Sequence, residues 1–252
     1  MKFISTRLCL SLVVFMLFAC TKNPDEIIPE KVLEIIIEEE ENELEYNNPE
    51  IKSIKLLALG DSYTIGQSVC QTCRFPEQLK SRLIPRIEFL EDIELQVIAK
   101  TGWTTTNLID AISTNELTED YNLVTLLIGV NNQYQGKPFS IYQSEFPQLV
   151  NTAIKKANSK KNNVIVISIP DYAFTPFGKG RTSISQDLDR YNNFAQNYCL
   201  QNNISFVYIT DITRQGLTNP NLVASDGLHP SELAYAKFVD RLLPLAIKKL
   251  EN

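Results

Sequence analysis

Five short apolar runs occur from residue 51 onward, and longer stretches with helical spacing of apolar residues separate them. The runs are nearly continuous in Val, Ile and Leu, which suits parallel strands covered on both faces. They predict strands at Ile54–Leu59, Leu95–Ala99, Leu123–Ile128, Val164–Ile169 and Phe206–Ile209. The stretches between and after them predict helices at about Pro76–Ile87, Thr105–Ser113, Ile141–Ala157, Ser185–Gln201 and Pro230–Leu250. This alternation is typical of βαβ units, so residues 51–252 are predicted to form one α/β domain with a parallel sheet.

The first 20 residues have the pattern of an export signal. Two basic residues precede the apolar stretch Leu8–Ala19, which at 12 residues is shorter than the roughly 20 that a membrane-spanning helix needs. The ending Leu17-Phe18-Ala19-Cys20 resembles the lipobox of bacterial lipoproteins, although Phe18 is bulkier than the residue usually found there. The resemblance implies a signal peptide at residues 1–19 and an acylated Cys20 that anchors the chain to the cell envelope. An ordinary cleaved signal with an unrelated cysteine is the alternative.

Residues 20–50 are predicted to form an acidic tether. Of the net charge of −6, residues 21–50 contribute −9 and the leader +2, so that residues 51–252 carry +1. The run Glu38–Glu41 indicates a solvated, self-repelling linker, with an acidic binding arm as the alternative. With 44% hydrophobic and 21% charged residues, the chain has the composition of a globular protein. Nothing in the nearly neutral domain suggests a nucleic-acid footprint, so no nucleic-acid partner is expected.

Three cysteines, Cys70, Cys73 and Cys199, fall within the domain. In an oxidising exterior, Cys70 and Cys73 can close a small disulfide loop, or one of them can pair with Cys199. A zinc site would need further ligands. A redox-active Cys70-Gln-Thr-Cys73 pair is the sharper alternative, but a thioredoxin-like motif would stand at a strand-to-helix turn with a clear helix start. The oxidising environment of an exported protein therefore favours a structural role for Cys70 and Cys73.

The candidate nucleophile is Ser62, which follows the first predicted strand in the sequence Gly60-Asp61-Ser62. Ligands of a parallel sheet bind outside the carboxyl ends of its strands. Gly60 is expected to permit the sharp backbone turn that exposes the Ser62 hydroxyl. A Gly-Asp-Ser sequence by itself is also a common turn.

The candidate acid–base pair is Asp226 and His229, the chain's only histidine. Pro230 fits the first position of the last predicted helix, so His229 is expected at that helix's entrance. Asp226, three residues earlier, can accept the imidazole Nδ1 proton and leave Nε2 free to take the proton of Ser62. The alternative is an Asx-turn at Asp226 and a helix cap at His229.

Gly102 and Asn131 are candidate oxyanion-hole donors because each follows a predicted strand. Gly102 can offer a backbone N–H without a Cβ in the way, and Asn131 can offer its side-chain amide. With the N–H of Ser62, they would supply three donors to a tetrahedral intermediate. Glycine and asparagine after a strand also serve simply as turn residues.

The four segments resemble, in the same order, the four sequence blocks of the SGNH hydrolases, also called GDSL-type esterases and lipases. The similarity extends over nearly all of residues 54–245. It implies a flavodoxin-like three-layer α/β/α sandwich with a five-stranded parallel sheet, and no metal or organic cofactor. The residues that this resemblance carries over are the nucleophile Ser62, the pair Asp226 and His229, and the oxyanion donors Ser62, Gly102 and Asn131. Two positions depart from the pattern, since Tyr63 replaces the family's leucine and Asn132 its usual aspartate.

The function predicted from these residues is serine-dependent hydrolysis of small acyl esters, acetylated carbohydrate or lysophospholipid at the cell envelope. The partners are then the ester substrate and the membrane reached through the lipid anchor. Tyr63, Trp103 and Tyr134 are candidates to line the substrate pocket. One alternative is a non-catalytic surface lipoprotein that binds glycan with the same fold, and another is a thiol protein centred on Cys70 and Cys73.

Overall fold

The computed structural model describes residues 52–251. Five parallel strands form one sheet in the order β2-β1-β3-β4-β5. The strands are β1 (Lys52–Gly60), β2 (Leu90–Ala99), β3 (Leu123–Leu127), β4 (Val164–Ile167) and β5 (Ser205–Val207). The predicted signal peptide, Cys20 and the acidic tether lie outside the described residues. The five-stranded parallel sheet is confirmed.

Helices pack on the sheet as two separate layers. They are α1 (Ser62–Ile65), α2 (Phe75–Leu83), α3 (Thr105–Thr114), α4 (Val130–Tyr134), α5 (Phe139–Lys156), α6 (Thr182–Gln201), α7 (Thr210–Thr213) and α8 (Glu232–Leu250). Helix α8 packs against α2, while α5 packs against both α3 and α6. Within the described part of the chain, none of these helices is long and apolar enough to cross a membrane.

The central strands explain why the apolar runs predicted them well. Every residue of β3 and β4 is buried, so each reads as a continuous hydrophobic run. The edge strand β2 differs, because it begins at Leu90 instead of the predicted Leu95. In its first half, buried Leu90 and Ile93 are separated by exposed charged residues. A strand with one solvent-facing side carries no continuous apolar signal, and its start was therefore missed.

The sheet order brings three of the candidate segments to one edge. The chain passes from β1 outward to β2 and then returns to β3 on the other side of β1, which makes the space between β1 and β3 the switch point of the sheet. Ser62, Gly102 and Asn131 follow the carboxyl ends of β1, β2 and β3. A ligand at this edge is therefore within reach of all three segments.

Gly60 is required for a different reason from the one predicted. It ends β1 without a positive φ. A Cβ at this position would lie 2.4 Å from the carbonyl oxygen of Leu127 and 2.1 Å from Oγ1 of Thr64. The glycine thus permits the close approach of β1 and β3 directly before the candidate nucleophile.

Candidate active site

Ser62 is the first residue of helix α1 and is 4% exposed. Asp61 caps this helix, since its carboxylate accepts the N–H of Tyr63 at 3.0 Å. The N–H groups of a helix's first turn have no partner within the helix. The N–H of Ser62 is therefore available to a substrate oxygen beside its own hydroxyl.

Asp226 and His229 form the hydrogen-bonded pair that the sequence predicted. Oδ2 of Asp226 lies 2.6 Å from Nδ1 of His229. Oδ1 of the same carboxylate accepts two backbone N–H groups, those of Leu228 at 2.9 Å and His229 at 3.0 Å. The carboxylate can only accept the Nδ1 proton, so this contact directs Nε2 of His229 away from Asp226.

The loop that carries this pair is not the helix entrance that was predicted. Helix α8 begins at Glu232, and the Ser231 hydroxyl caps it by accepting the N–H of Ala234 at 3.2 Å. Pro230 is therefore outside the helix, and the prediction that it occupies the first helical position is wrong. It forms an isolated antiparallel bridge with Val223 instead. That bridge, and not the helix, fixes the residue next to His229.

Hydrogen bonds keep Asp226 ionised. Burial by itself would raise the pKa of this carboxyl, but hydrogen bonds from the Ser68 hydroxyl, the His229 side chain and the N–H groups of His229 and Leu228 outweigh it. Together they hold the pKa of Asp226 well below its usual range. A permanent carboxylate is what the orienting member of a catalytic triad has to be.

Tyr63, the residue after Ser62 in helix α1, contacts His229. The Tyr63 ring meets the imidazole edge-on, with centroids 5.7 Å apart. Among the described residues, no hydrogen bond joins the Ser62 hydroxyl to His229. Contacts between nucleophile and base are often long before substrate binds. The hydrogen-bonded pair Asp226 and His229 therefore lies against the helix that begins at Ser62.

Gly102 lies in a tight turn with its backbone open to the site. The turn is closed by the N–H of Trp103, which donates to the carbonyl of Lys100 at 3.2 Å. Gly102 has a φ of +85°, and a Cβ there would meet nothing within 4 Å. The glycine is needed for its left-handed conformation and not for space. Its N–H is not used by the turn and remains a candidate oxyanion donor.

The side chain of Asn131 is held by the same turn. Its Nδ2 donates to the carbonyl oxygen of Trp103 at 3.0 Å. Because a carbonyl only accepts, this contact fixes which end of the amide carries the protons. One Nδ2 proton is used in the contact and the second is left for a ligand. The turn at Gly102 and helix α4 are therefore joined at the predicted oxyanion hole.

A family model for GDSL-like lipases and acylhydrolases matches residues 58–237, which include every candidate catalytic and oxyanion residue. The chain belongs to this family. It is therefore an ester hydrolase of the GDSL type, as the sequence predicted.

Solved structures with the same fold are distant in sequence. An acetyl xylan esterase variant from Geobacillus stearothermophilus shares 19% identity over 77% of this chain and 94% of its own, with a TM-score of 0.61. A lipase/acylhydrolase from Enterococcus faecalis shares 18% sequence identity over 78% of this chain and 96% of its own, with a TM-score of 0.60. A lipase from a goat rumen metagenome shares 15% sequence identity over 77% of this chain and 98% of its own, with a TM-score of 0.63. A search of curated protein sequences found no match. These likenesses confirm the α/β fold.

Asn132, which replaces the family's usual aspartate, joins helix α4 to helix α3. Its side chain is fully buried, accepts the N–H of Thr105 at 3.0 Å and donates to the Thr105 hydroxyl at 2.7 Å. The Thr105 hydroxyl in turn donates to Glu145. An amide donor suits this chain of contacts, because an aspartate would compete with Glu145 for the same hydroxyl proton. Asn132 is thus a structural residue of the hydrolase.

Substitutions of the two neighbouring asparagines should have different effects, one on catalysis and the other on stability. Replacing Asn131 with alanine is expected to lower kcat for p-nitrophenyl acetate by about 10²- to 10³-fold, because one oxyanion donor is lost. Replacing Asn132 with alanine is expected to lower the free energy of unfolding by about 1 to 3 kcal/mol, because the buried N–H of Thr105 loses its partner. Steady-state kinetics and urea unfolding measure the two effects. Wild-type kcat in the Asn131 variant would remove this residue from the oxyanion hole.

Asp61 is a buried carboxyl directly before the nucleophile. One oxygen accepts the Tyr63 N–H, and the other, Oδ2, is buried without a hydrogen-bond partner. Burial raises the pKa of Asp61 to about 7, although the backbone N–H contacts oppose this. Ionisation of the folded hydrolase at this position is therefore costly.

The stability of the hydrolase should fall as pH rises between about 4 and 7. Over this range the unfolded chain has released the Asp61 proton while the folded protein retains it, so folding is penalised by up to about 4 kcal/mol. An Asp61→Asn variant keeps the acceptor for Tyr63 and cannot ionise. Its stability relative to wild type should rise from pH 5 to pH 8 and then level off, as measured by urea unfolding. The exposed Asp110→Asn control should show no such trend, and parallel curves for Asp61→Asn and wild type would contradict the assignment.

The predicted pocket aromatics have three different environments. Tyr63 is 2% exposed, and its ring packs edge-on against the imidazole of His229. The cavity that it lines with Tyr172 and His229 has about 10 Å³, which is room for about one water. Tyr63 thus lines a small cavity with His229, and its place in a substrate pocket stays a prediction. Trp103 is half-buried against the core and offers its carbonyl to Asn131.

Tyr134, in contrast, is 57% exposed at the end of the helix that carries Asn131. Its ring lies 6.1 Å from that of Phe177 and 6.0 Å from that of Tyr172. Phe177 is 40% exposed, and its N–H donates to the carbonyl of Gly227, in the loop of the acid–base pair, at 3.0 Å. Phe177 was not among the residues predicted to line the pocket. An aromatic residue in the long connection after β4 was the available signal.

The cysteines are arranged in one of the two ways expected. Cys70 and Cys73 form a disulfide, and Cys199, the free cysteine of the described part, is buried in helix α6. Burial raises the pKa of the Cys199 thiol to about 12, which makes it unreactive. Among residues 52–251, no group of three or more His, Cys, Asp or Glu side chains is placed to hold a metal ion.

Proposed function

We propose that this hydrolase cleaves esters of small acyl groups through an acyl-enzyme at Ser62, at the cell envelope to which a lipidated Cys20 anchors it. The observation that carries the mechanism is the 2.6 Å contact between Asp226 and His229 beside the helix that begins at Ser62. An isolated serine hydroxyl is a weak nucleophile, and an oriented imidazole beside it supplies the base.

In the proposed reaction, Oγ of Ser62 attacks the ester carbonyl and gives its proton to Nε2 of His229. The N–H groups of Ser62 and Gly102 and the Nδ2 of Asn131 hold the oxyanion that forms. When the intermediate collapses, the ester C–O bond breaks and His229 donates the proton to the departing alcohol. Water then attacks the acyl-enzyme with His229 as base, which releases the acid and restores Ser62.

The surroundings of the site favour a small acyl group on a carbohydrate alcohol. The cavity beside His229 has room for about one water, which is too little for a long acyl chain. The exposed rings of Tyr134 and Phe177 are joined to the oxyanion helix and to the acid–base loop. Flat, half-exposed aromatic faces suit the apolar side of a sugar ring, with the polar hydroxyl groups left in water.

The envelope location rests on the leader and the tether. A basic start, an apolar stretch of 12 residues and Cys20 precede an acidic segment with a net charge of −9. An acylated cysteine would hold the enzyme at a membrane while the self-repelling segment extends it from the surface. Mass spectrometry of Cys20 in membrane fractions tests this part alone.

The substrate class can be tested with acetylated xylo-oligosaccharide, ethyl acetate and a lysophospholipid. Tyr134→Ala and Phe177→Ala should each raise KM for the acetylated sugar by about fivefold, the equivalent of losing about 1 kcal/mol of contact, with KM for ethyl acetate unchanged. Phe89→Ala removes an exposed ring directly before β2, at the opposite end of the strands. This control should change neither the KM for the acetylated sugar nor the KM for ethyl acetate. Faster turnover of the lysophospholipid, or equal KM values in all variants, would overturn the substrate proposal.

A further inference from the structure

The segment Gly66–Cys73 connects the helix of Ser62 to helix α2, and a disulfide closes its second half. Gly66 ends α1 in a left-handed conformation, with a φ of +79°. The chain then passes through Gln67 and Ser68 to the turn Gln71–Cys73, where Cys70 and Cys73 are linked. Nε2 of Gln78 donates to the carbonyl of Cys73 at 2.6 Å. Both ends of the segment are therefore fixed.

Two adjacent residues of this segment reach two different parts of the active site. The Thr101 hydroxyl, beside Gly102, donates to Oε1 of Gln67 at 2.6 Å. The Ser68 hydroxyl donates to Oδ2 of Asp226 at 2.6 Å. These partners are 34 and 158 positions away in the chain. The segment thus links the nucleophile's helix to the oxyanion turn and to the triad acid.

Ser68 completes the hydrogen bonding of the Asp226 carboxylate. Backbone N–H groups hold Oδ1, whereas Oδ2 receives only the Ser68 hydroxyl and Nδ1 of His229. A carboxylate held at one oxygen can still rotate about its side-chain bond. With Ser68 in place, both oxygens are fixed, and so is the direction in which Oδ2 faces the imidazole.

The backbone of Ser68 is held in an uncommon conformation to make this contact. Its φ is +67°, in the left-handed region that residues other than glycine seldom adopt. Such conformations persist only where the surroundings impose them. Here the imposing features are the capped end of α1 on one side and the disulfide loop, two residues further on, on the other.

We propose that Ser68 is a positioning residue that orients Asp226 toward His229, and that the Cys70–Cys73 disulfide keeps Ser68 in place. This inference rests on the proposed triad. The recorded hydrogen bond of the Ser68 hydroxyl goes to Asp226, so Ser68 acts on the reaction through Asp226. The disulfide then has a role in catalysis without any thiol chemistry.

Removing the hydroxyl should lower kcat and leave KM nearly unchanged. For Ser68→Ala we expect a decrease in kcat of about tenfold to 100-fold, the scale of a small misplacement of a catalytic group. Ser68→Gly fits the left-handed backbone better than serine and also lacks the hydroxyl, so it should fold at least as well and lose the same activity. Ser113→Ala removes an exposed hydroxyl that bonds only to its own helix and should retain full activity. Full activity in Ser68→Gly would show that the hydroxyl has no role.

A double-variant comparison shows whether Ser68 acts through Asp226. In an Asp226→Asn background, Ser68→Ala should have no further effect on kcat. Cys70→Ser/Cys73→Ser should lower kcat in wild type and have no further effect on kcat in the Ser68→Ala background. The Nδ1 proton of His229, the chain's only histidine, gives a single imidazole NMR signal that should shift in Ser68→Ala. Multiplicative losses and an unchanged signal would overturn the inference.

The two proposals fail in different ways. If Asp226→Asn keeps wild-type kcat, the triad itself is wrong. If Asp226→Asn loses activity while Ser68→Ala and the double cysteine variant do not, the triad stands and only the positioning role of Ser68 is refuted.

Discussion

Replacing Ser62 with alanine is expected to lower kcat for p-nitrophenyl acetate by a factor on the order of 10⁶, the scale found when a serine hydrolase loses its nucleophile. Ser62 is 4% exposed and is the first residue of helix α1. Its hydroxyl has no hydrogen bond among the described residues, so the loss of one oxygen should leave the fold intact. Ser113→Ala is the matched control on the surface of α3 and should keep wild-type kinetics. Equal rates for Ser62→Ala and wild type would show that another group attacks the ester.

His229→Gln is expected to cause a loss of similar size, because the chain has no second histidine to act as base. The informative variant is the double replacement of Ser62 and His229. Residues that act as one unit are not additive, so the double variant should be about as inactive as either single variant. Rates are measured under single-turnover conditions, with circular dichroism to confirm folding.

That comparison matters because the Ser62 hydroxyl and His229 are not hydrogen-bonded in the structure. The recorded contact from the helix of Ser62 to the imidazole is that of the Tyr63 ring. If the two single losses multiply in the double variant, the serine and the histidine contribute separately, and the proton relay between them is refuted.

The sequence predicted the sheet well where the signal is local. The strands β3 and β4 are buried at every position and stand out as apolar runs. The start of the edge strand β2 and the start of helix α8 were missed, because their ends are set by a solvent-facing side and by the Ser231 cap. Local patterns predict which elements exist better than where they end.

The candidate site could be predicted in part for the same reason. Asp226 and His229 are three residues apart, so their contact follows from spacing. The contact between Ser68 and Asp226 spans 158 positions, and no local pattern indicates it. Burial is also a property of the whole fold, so the sequence did not indicate that Tyr63 is buried against the ring of His229.

In the Gly-Asp-Ser segment, the structure gives two residues roles that the sequence did not predict. Gly60 was expected to make a turn, and it instead permits the approach of two strands. Asp61, to which the sequence assigned no role of its own, caps the helix of Ser62 through one oxygen of a buried carboxyl, and the other oxygen has no hydrogen-bond partner. Gly60 and Asp61 therefore have separate structural roles, and the proposed chemical role belongs to Ser62.

The central claim is that Ser62 is the group that becomes acylated, and covalent labelling tests it most directly. A fluorophosphonate transfers its phosphonyl group to an activated serine oxygen and releases fluoride. Intact-mass analysis and peptide mapping should show one label per chain, on Ser62, with none on Ser62→Ala and much slower labelling of His229→Gln. A label on another residue, or equal labelling of Ser62→Ala, would contradict the assignment.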